Sequence, residues 1–183
     1  MTFTGAVWKV GDHVDTDVII PARYLVTIDP TQLAPHCFED LDPTLAQKIK
    51  PGDILVAGEN FGQGSSREHA PIAIKGLGIA CIVAKSYARI FYRNAFNIGL
   101  PLFECQDLDA VTQTGDTVSV DNVSGKIQNV TRGTSHTAAA LPEFMRRLVD
   151  AGGIIEYTRQ KVARQTDAAR QTDVARQGTE AGR

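Results

Sequence analysis

The chain has 183 residues, of which 43% are hydrophobic and 22% charged, the composition of a globular protein with one domain or one domain and a tail. Its 19 Lys and Arg against 21 Asp and Glu leave a formal charge of -2, which excludes a broad positive field for nucleic acid or an anionic membrane. No apolar run reaches the roughly 20 residues of a membrane-spanning helix. The start, Met1-Thr2-Phe3-Thr4-Gly5, has neither the basic residues nor the apolar stretch of a secretory signal, so a cytoplasmic location is expected.

Val7-Trp8-Lys9-Val10 predicts a first strand. Asp12-His13-Val14-Asp15-Thr16-Asp17 reads as a polar turn before a second extended run, Val18-Ile19-Ile20-Pro21. Its three acids, Asp12, Asp15 and Asp17, suggest calcium. Gly is missing at the sixth loop position and Arg23 stands at the twelfth, so an EF-hand is excluded. Ile54-Leu55-Val56-Ala57 and Ile79-Ala80-Cys81-Ile82-Val83-Ala84 are continuously apolar, the pattern of strands covered on both faces. Between them, about Ser66 to Leu77 carries Ile72, Ala73 and Leu77 at helical spacing, which predicts a right-handed parallel crossover.

A helix over Tyr87 to Phe96 follows, with Ser86 placed to cap it, and Leu100-Pro101-Leu102-Phe103 is extended. Thr117 to Val120 and Lys126 to Val130 alternate around a polar turn and predict a hairpin. Phe144 to Val149 suits a short helix. The expected fold is α/β with parallel and antiparallel parts. Near Tyr157 the composition changes: Ala163-Arg164-Gln165-Thr166-Asp167 is echoed by Ala169-Arg170-Gln171-Thr172-Asp173, a period of six that builds no apolar stripe. A domain over residues 1–157 and a low-complexity, disordered or loosely helical tail over 158–183 are expected.

Chemistry concentrates in Gly58-Glu59-Asn60-Phe61-Gly62-Gln63-Gly64-Ser65-Ser66-Arg67-Glu68-His69, at the carboxyl end of a strand, where open sheets place ligands. The glycines permit a sharp path, a helix start offers N–H groups to an anion, and the Arg67 fork suits a carboxylate. The segment is neither a Walker A loop nor GxGxxG. It fits an anion-binding loop or a Gly-rich turn before a capped helix, with Ser65 and Glu68 at capping-box spacing. Pro71 is best tolerated in a first turn, so regular helix is expected to begin nearer His69. His13 and His69 read as hydrogen-bonded structural groups. Cys37, Cys81 and Cys105 form no CxxC pair, and Cys81 and Cys105 read as core thiols.

Asp15-Thr16-Asp17-Val18-Ile19-Ile20-Pro21, the segment Gly58 to Ala70 and Ala84-Lys85-Ser86-Tyr87-Ala88-Arg89-Ile90 together resemble the swivelling domain of the aconitase superfamily. Within it, the free-standing size resembles the small subunits of the 3-isopropylmalate dehydratase family. The resemblance spans about Val7 to Ile155 and leaves out the tail. It implies a swivelling β/β/α domain with mixed parallel and antiparallel sheets. It also implies an iron–sulfur large subunit as partner, in a heterodimer or heterotetramer, with the [4Fe–4S] cluster on that partner and no cofactor bound by this chain. The reaction implied is the isomerisation of 2-isopropylmalate to 3-isopropylmalate by dehydration and rehydration, in leucine biosynthesis.

Residue by residue, the resemblance makes Ser65 the base that takes a proton next to a carboxylate. Ser66 and Arg67 bind that carboxylate, and Asp17 pairs with a histidine of the partner. Arg89 falls at a position with a structural or outer role. Tyr24-Leu25-Val26 resembles the specificity loop of archaeal-type small subunits, where an apolar third residue fits an isopropyl group and Arg fits the extra carboxylate of homoaconitate. Val26 leaves such a carboxylate unpaired, which costs roughly several kcal/mol. One methylene discriminates by only about 1–3 kcal/mol, so citramalate and dimethylmalate stay open as substrates. A non-catalytic anion-binding module is the alternative of another class.

Overall fold

The strand β1 (Thr2–Gly11) runs through the middle of the molecule and belongs to two half-sheets at once. In this computed structural model, which describes residues 1–166, the other strands are β2 (Ile54–Ala57), β3 (Cys81–Ala84), β4 (Leu102–Glu104), β5 (Thr117–Asp121), β6 (Lys126–Asn129) and β7 (Thr134–Thr137). Their order is β4-β3-β2-β1-β5-β6-β7. The second half of β1 pairs in parallel with β2, Val7 opposite Ile54. Its first half pairs antiparallel with β5, Phe3 opposite Val120. β2, β3 and β4 continue the parallel side, and β5, β6 and β7 form an antiparallel meander.

The helices include α1 (Thr16–Ile19), α2 (Pro30–Leu33), α3 (Leu45–Lys48), α4 (His69–Gly76), α5 (Arg89–Asn97), α6 (Leu108–Val111) and α7 (Glu143–Ala151). α4 links β2 to β3 and α5 links β3 to β4, as parallel neighbours require. α4 packs on α2, α1 and α5, while α6 packs on β2 and β3. Every residue of β2 and β3 is buried, in agreement with their continuous apolar runs. β5 alternates buried and half-buried positions, as a strand wetted on one face does.

Three local expectations are corrected. Val18-Ile19 is not the start of a strand but lies in α1, because the Asp15 carboxylate accepts from the Asp17 N–H at 2.8 Å and caps a helical turn. Ser86 does not cap α5. Its Oγ accepts from the Asn60 N–H at 2.8 Å, and α5 begins after Ala88 with no side-chain cap. The Ser65–Glu68 capping box does not form either: Glu68 itself is the N-cap residue of α4, and the helix starts at His69, where Pro71 falls in the first turn. Residues 154–166 are helical, and all those from 158 to 166 are exposed. The rest of the expected tail, residues 167–183, lies outside the described residues.

Candidate active site

The Gly-rich segment is stitched between two neighbouring loops at the carboxyl edge of β1, β2 and β3. On one side Asp12 Oδ1 accepts from the Glu59 N–H at 2.7 Å, Gly62 N–H donates to the Val14 carbonyl at 2.8 Å, and Thr16 N–H donates to the Gln63 carbonyl at 2.9 Å. The Glu59 bond holds the Asp12 carboxyl below its ordinary range. On the other side Lys85 N–H donates to the Gly58 carbonyl, Phe61 N–H to the Ser86 carbonyl and Ala88 N–H to the Phe61 carbonyl, each at 3.0 Å. Gly62 has φ +77° and a Cβ there would overlap the Phe91 ring; Gly64 has φ +94° and would meet the Asp15 carboxylate. The Gly spacing thus serves backbone approach between loops.

This stitching brings Asp17, Ser65 and Arg67 together. Ser65 N–H donates to Thr16 Oγ1 at 3.1 Å, and the Thr16 hydroxyl lies 3.3 Å from the Ser65 carbonyl it can donate to. Thr16 is fully buried, whereas Ser65 and Ser66 are exposed. Arg67 Nη1 donates to Asp17 Oδ1 in an ion pair; the Arg67 side chain is 18% exposed and that of Asp17 56%. A half-buried guanidinium next to an exposed carboxylate can hand itself to an incoming anion if another cation takes the aspartate. Ser65 borders an open cleft of about 520 Å3 whose far wall is α5, with Arg89, Ile90 and Arg93. Tyr87 fixes that wall: its buried hydroxyl, with one proton to donate, lies within hydrogen-bond distance of the carbonyls of Ile82 (2.9 Å) and Phe103 (3.0 Å), and burial pushes the phenol up.

The Tyr24-Leu25-Val26 segment serves three different environments. Tyr24 stacks on His36 with ring centroids 3.7 Å apart, under the Arg23 guanidinium. Its hydroxyl, with Arg23 and His36, holds the Glu39 carboxyl down at about 2. Leu25 packs on the core, and Val26 is 91% exposed. Among the described residues no apolar side chains enclose Val26. Thr16 escaped the sequence reading, although it sits inside the Asp-Thr-Asp motif. Arg93 escaped it too, because only the fold sets α5 across from Ser65.

Cys37, Cys81 and Cys105 are buried as free thiols at separate places, and burial pushes all three thiols up. Among the described residues no group of three or more His, Cys, Asp or Glu is placed to hold a metal ion, and no helix is long and apolar enough to cross a membrane.

Residues 38–106 match the family model of the aconitase C-terminal domain. The chain is 55% identical over 165 residues to the 3-isopropylmalate dehydratase small subunit of Thermodesulfovibrio yellowstonii, covering 90% of this chain and 98% of that one. It is 57% identical over 157 residues to the 2,3-dimethylmalate dehydratase small subunit of Eubacterium barkeri, covering 86% and 96%. The crystal structure of 3-isopropylmalate dehydratase from Methanocaldococcus jannaschii superposes with a TM-score of 0.87 at 42% identity, over 92% of this chain and 99% of that one. The mixed sheet, the loop that presents Ser65 and Arg67, and likeness over nearly the whole length of these relatives agree: the chain belongs to the family of 3-isopropylmalate dehydratase small subunits.

Proposed function

We propose that this chain is the small subunit of a hydro-lyase that isomerises 2-isopropylmalate to 3-isopropylmalate by dehydration and rehydration, in cytoplasmic leucine biosynthesis. The observation that carries the reading is exposed Ser65, whose backbone is held by Thr16 two residues before Arg67, itself paired with Asp17, at the sheet's carboxyl edge. Ser65 takes the proton from the carbon next to a substrate carboxylate and returns one on rehydration. Arg67, with Ser66, holds that carboxylate and keeps the carbon against Ser65 Oγ. In the free chain Asp17 occupies Arg67; when a histidine of the large subunit takes Asp17, Arg67 turns to the substrate. The cofactor of this reading is a [4Fe–4S] cluster on the large subunit, which when bound supplies the Lewis acid for loss of the hydroxyl group.

Mixing the chain anaerobically with the iron–sulfur large subunit should give hydro-lyase activity that neither chain has alone. Ser65→Ala should lower turnover by about 10^2–10^4-fold while the two subunits still assemble into a heterodimer or heterotetramer. Full turnover in that variant would remove Ser65 as the base. Two observations favour a second reading, a related alkylmalate substrate: the likeness to a 2,3-dimethylmalate dehydratase small subunit and the exposure of Val26. Assay of the assembled pair across isopropylmalate, dimethylmalate, citramalate and homoaconitate decides between them. Binding of a dicarboxylate by the isolated chain with no activation by a large subunit would instead mark a non-catalytic anion-binding module.

A further inference from the structure

Five arginines of the described residues are already neutralised: Arg23, Arg67, Arg132, Arg147 and Arg159 each touch a carboxylate. Arg89, Arg93, Arg146 and Arg164 touch none among the described residues, and of these Arg146 donates to the Leu141 carbonyl, while Arg89 and Arg93 are exposed beside the Ser65 cleft. They stand four positions apart on α5, so their charges face each other on one side of the helix, an arrangement that disfavours the helix unless an anion comes between. Ile90 lies on the same wall and is 49% exposed. All three border the cleft that holds Ser65. The chain as a whole is negative, with a formal charge of -2, so this cationic wall is a local feature.

We infer that the Arg89–Ile90–Arg93 face is a docking surface for the large subunit, and that it receives a carboxylate-bearing segment of that partner. The inference rests on the functional reading above and adds the surface through which the site is closed. Ser65 can act as a base only where water is excluded, and the cleft beside it is open in this chain. The cover must come from outside, and it must meet the α5 wall. The substrate carboxylate next to the reacting carbon is assigned above to Arg67 and Ser66, not to the α5 pair. A protein surface with acidic side chains around an apolar patch answers Arg89, Ile90 and Arg93, and arginine is enriched in such contacts.

The test is the dissociation constant of the full chain for the iron–sulfur large subunit, read by calorimetry at low and high salt, with substrate kinetics of the assembled pair. Arg89→Glu/Arg93→Glu should raise Kd by about tenfold or more, and Arg89→Gln/Arg93→Gln by less. Added salt should weaken the wild-type complex more than the double Gln pair. Both arginines are exposed, and matching melting curves of the Gln variant and wild type keep the comparison valid. An unchanged Kd with a raised KM for 2-isopropylmalate would overturn the inference by making the pair a substrate site. An unchanged Kd and KM would overturn it outright, as would a self-dimer of the isolated chain that the Glu variant abolishes. Failure of the wild-type chain to bind the large subunit would instead sink the functional reading, and this inference with it.

Discussion

Thr16 is the side chain on which the position of Ser65 depends. Its hydroxyl meets both the N–H and the carbonyl of Ser65 from a fully buried place. Thr16→Val keeps the shape and deletes those bonds, leaving the Ser65 N–H without its partner, a loss of about 1–3 kcal/mol. A lower melting temperature and lower turnover of the assembled pair are expected, both restored by Thr16→Ser. Full turnover in the Val variant would show that Ser65 is held by other means. Gly62→Ala tests the backbone approach: with φ +77° and the Phe91 ring in the way, it should cost about 1–3 kcal/mol in a denaturant titration. The Gly-rich loop that carries Ser65 and Arg67 was legible in the sequence because turn chemistry is local. The Asp17–Arg67 pair was not legible from residue types, since its members are 50 positions apart and meet only when two loops are stitched side by side.

At the level of elements, the apolar runs of β2 and β3 announced themselves, and α1 did not. Val18 and Ile19 are β-branched and favour strands, yet the Asp15 cap decides for a helical turn. β7 was invisible because Thr134-Ser135-His136-Thr137 carries no apolar alternation; it is an edge strand paired only with β6. The meander it closes is tied by Asp116, which accepts from Arg132 Nε, from Gln113 N–H at 3.0 Å and from Asn129 Nδ2 at 3.0 Å. Arg132 first, then the other donors, draw this carboxyl from 3.8 to about 2. A carboxyl lowered by folding contributes stability that is present above about pH 3.8 and is lost as the pH falls toward 2. Asp116→Asn should therefore melt lower than wild type at pH 7, with the gap narrowing as the pH falls through that window. A gap that stays constant across the window would mean that the carboxylate charge does not hold the meander.

For the whole molecule, the sequence marked most of the strands but not their order. That order turns on β1, whose ten residues serve a parallel neighbour with one half and an antiparallel neighbour with the other. No local pattern encodes such a division, because both pairings are long-range. The same nonlocality separates folding from selectivity at Val26. The side chain is 91% exposed, so Val26→Arg touches nothing that this chain packs and should change its stability by no more than about 0.5 kcal/mol. On the functional reading proposed above, this position faces the substrate once the large subunit is bound. There a guanidinium answers a third carboxylate and leaves an isopropyl group against a charge, so the ratio of kcat/KM for homoaconitate over isopropylmalate should rise by about tenfold or more. Melting of the isolated variant and the two specificity constants of the pair are the measurements. An unchanged ratio with unchanged stability would place the selectivity on the partner's side of the cavity and strip the Tyr24-Leu25-Val26 segment of its proposed role.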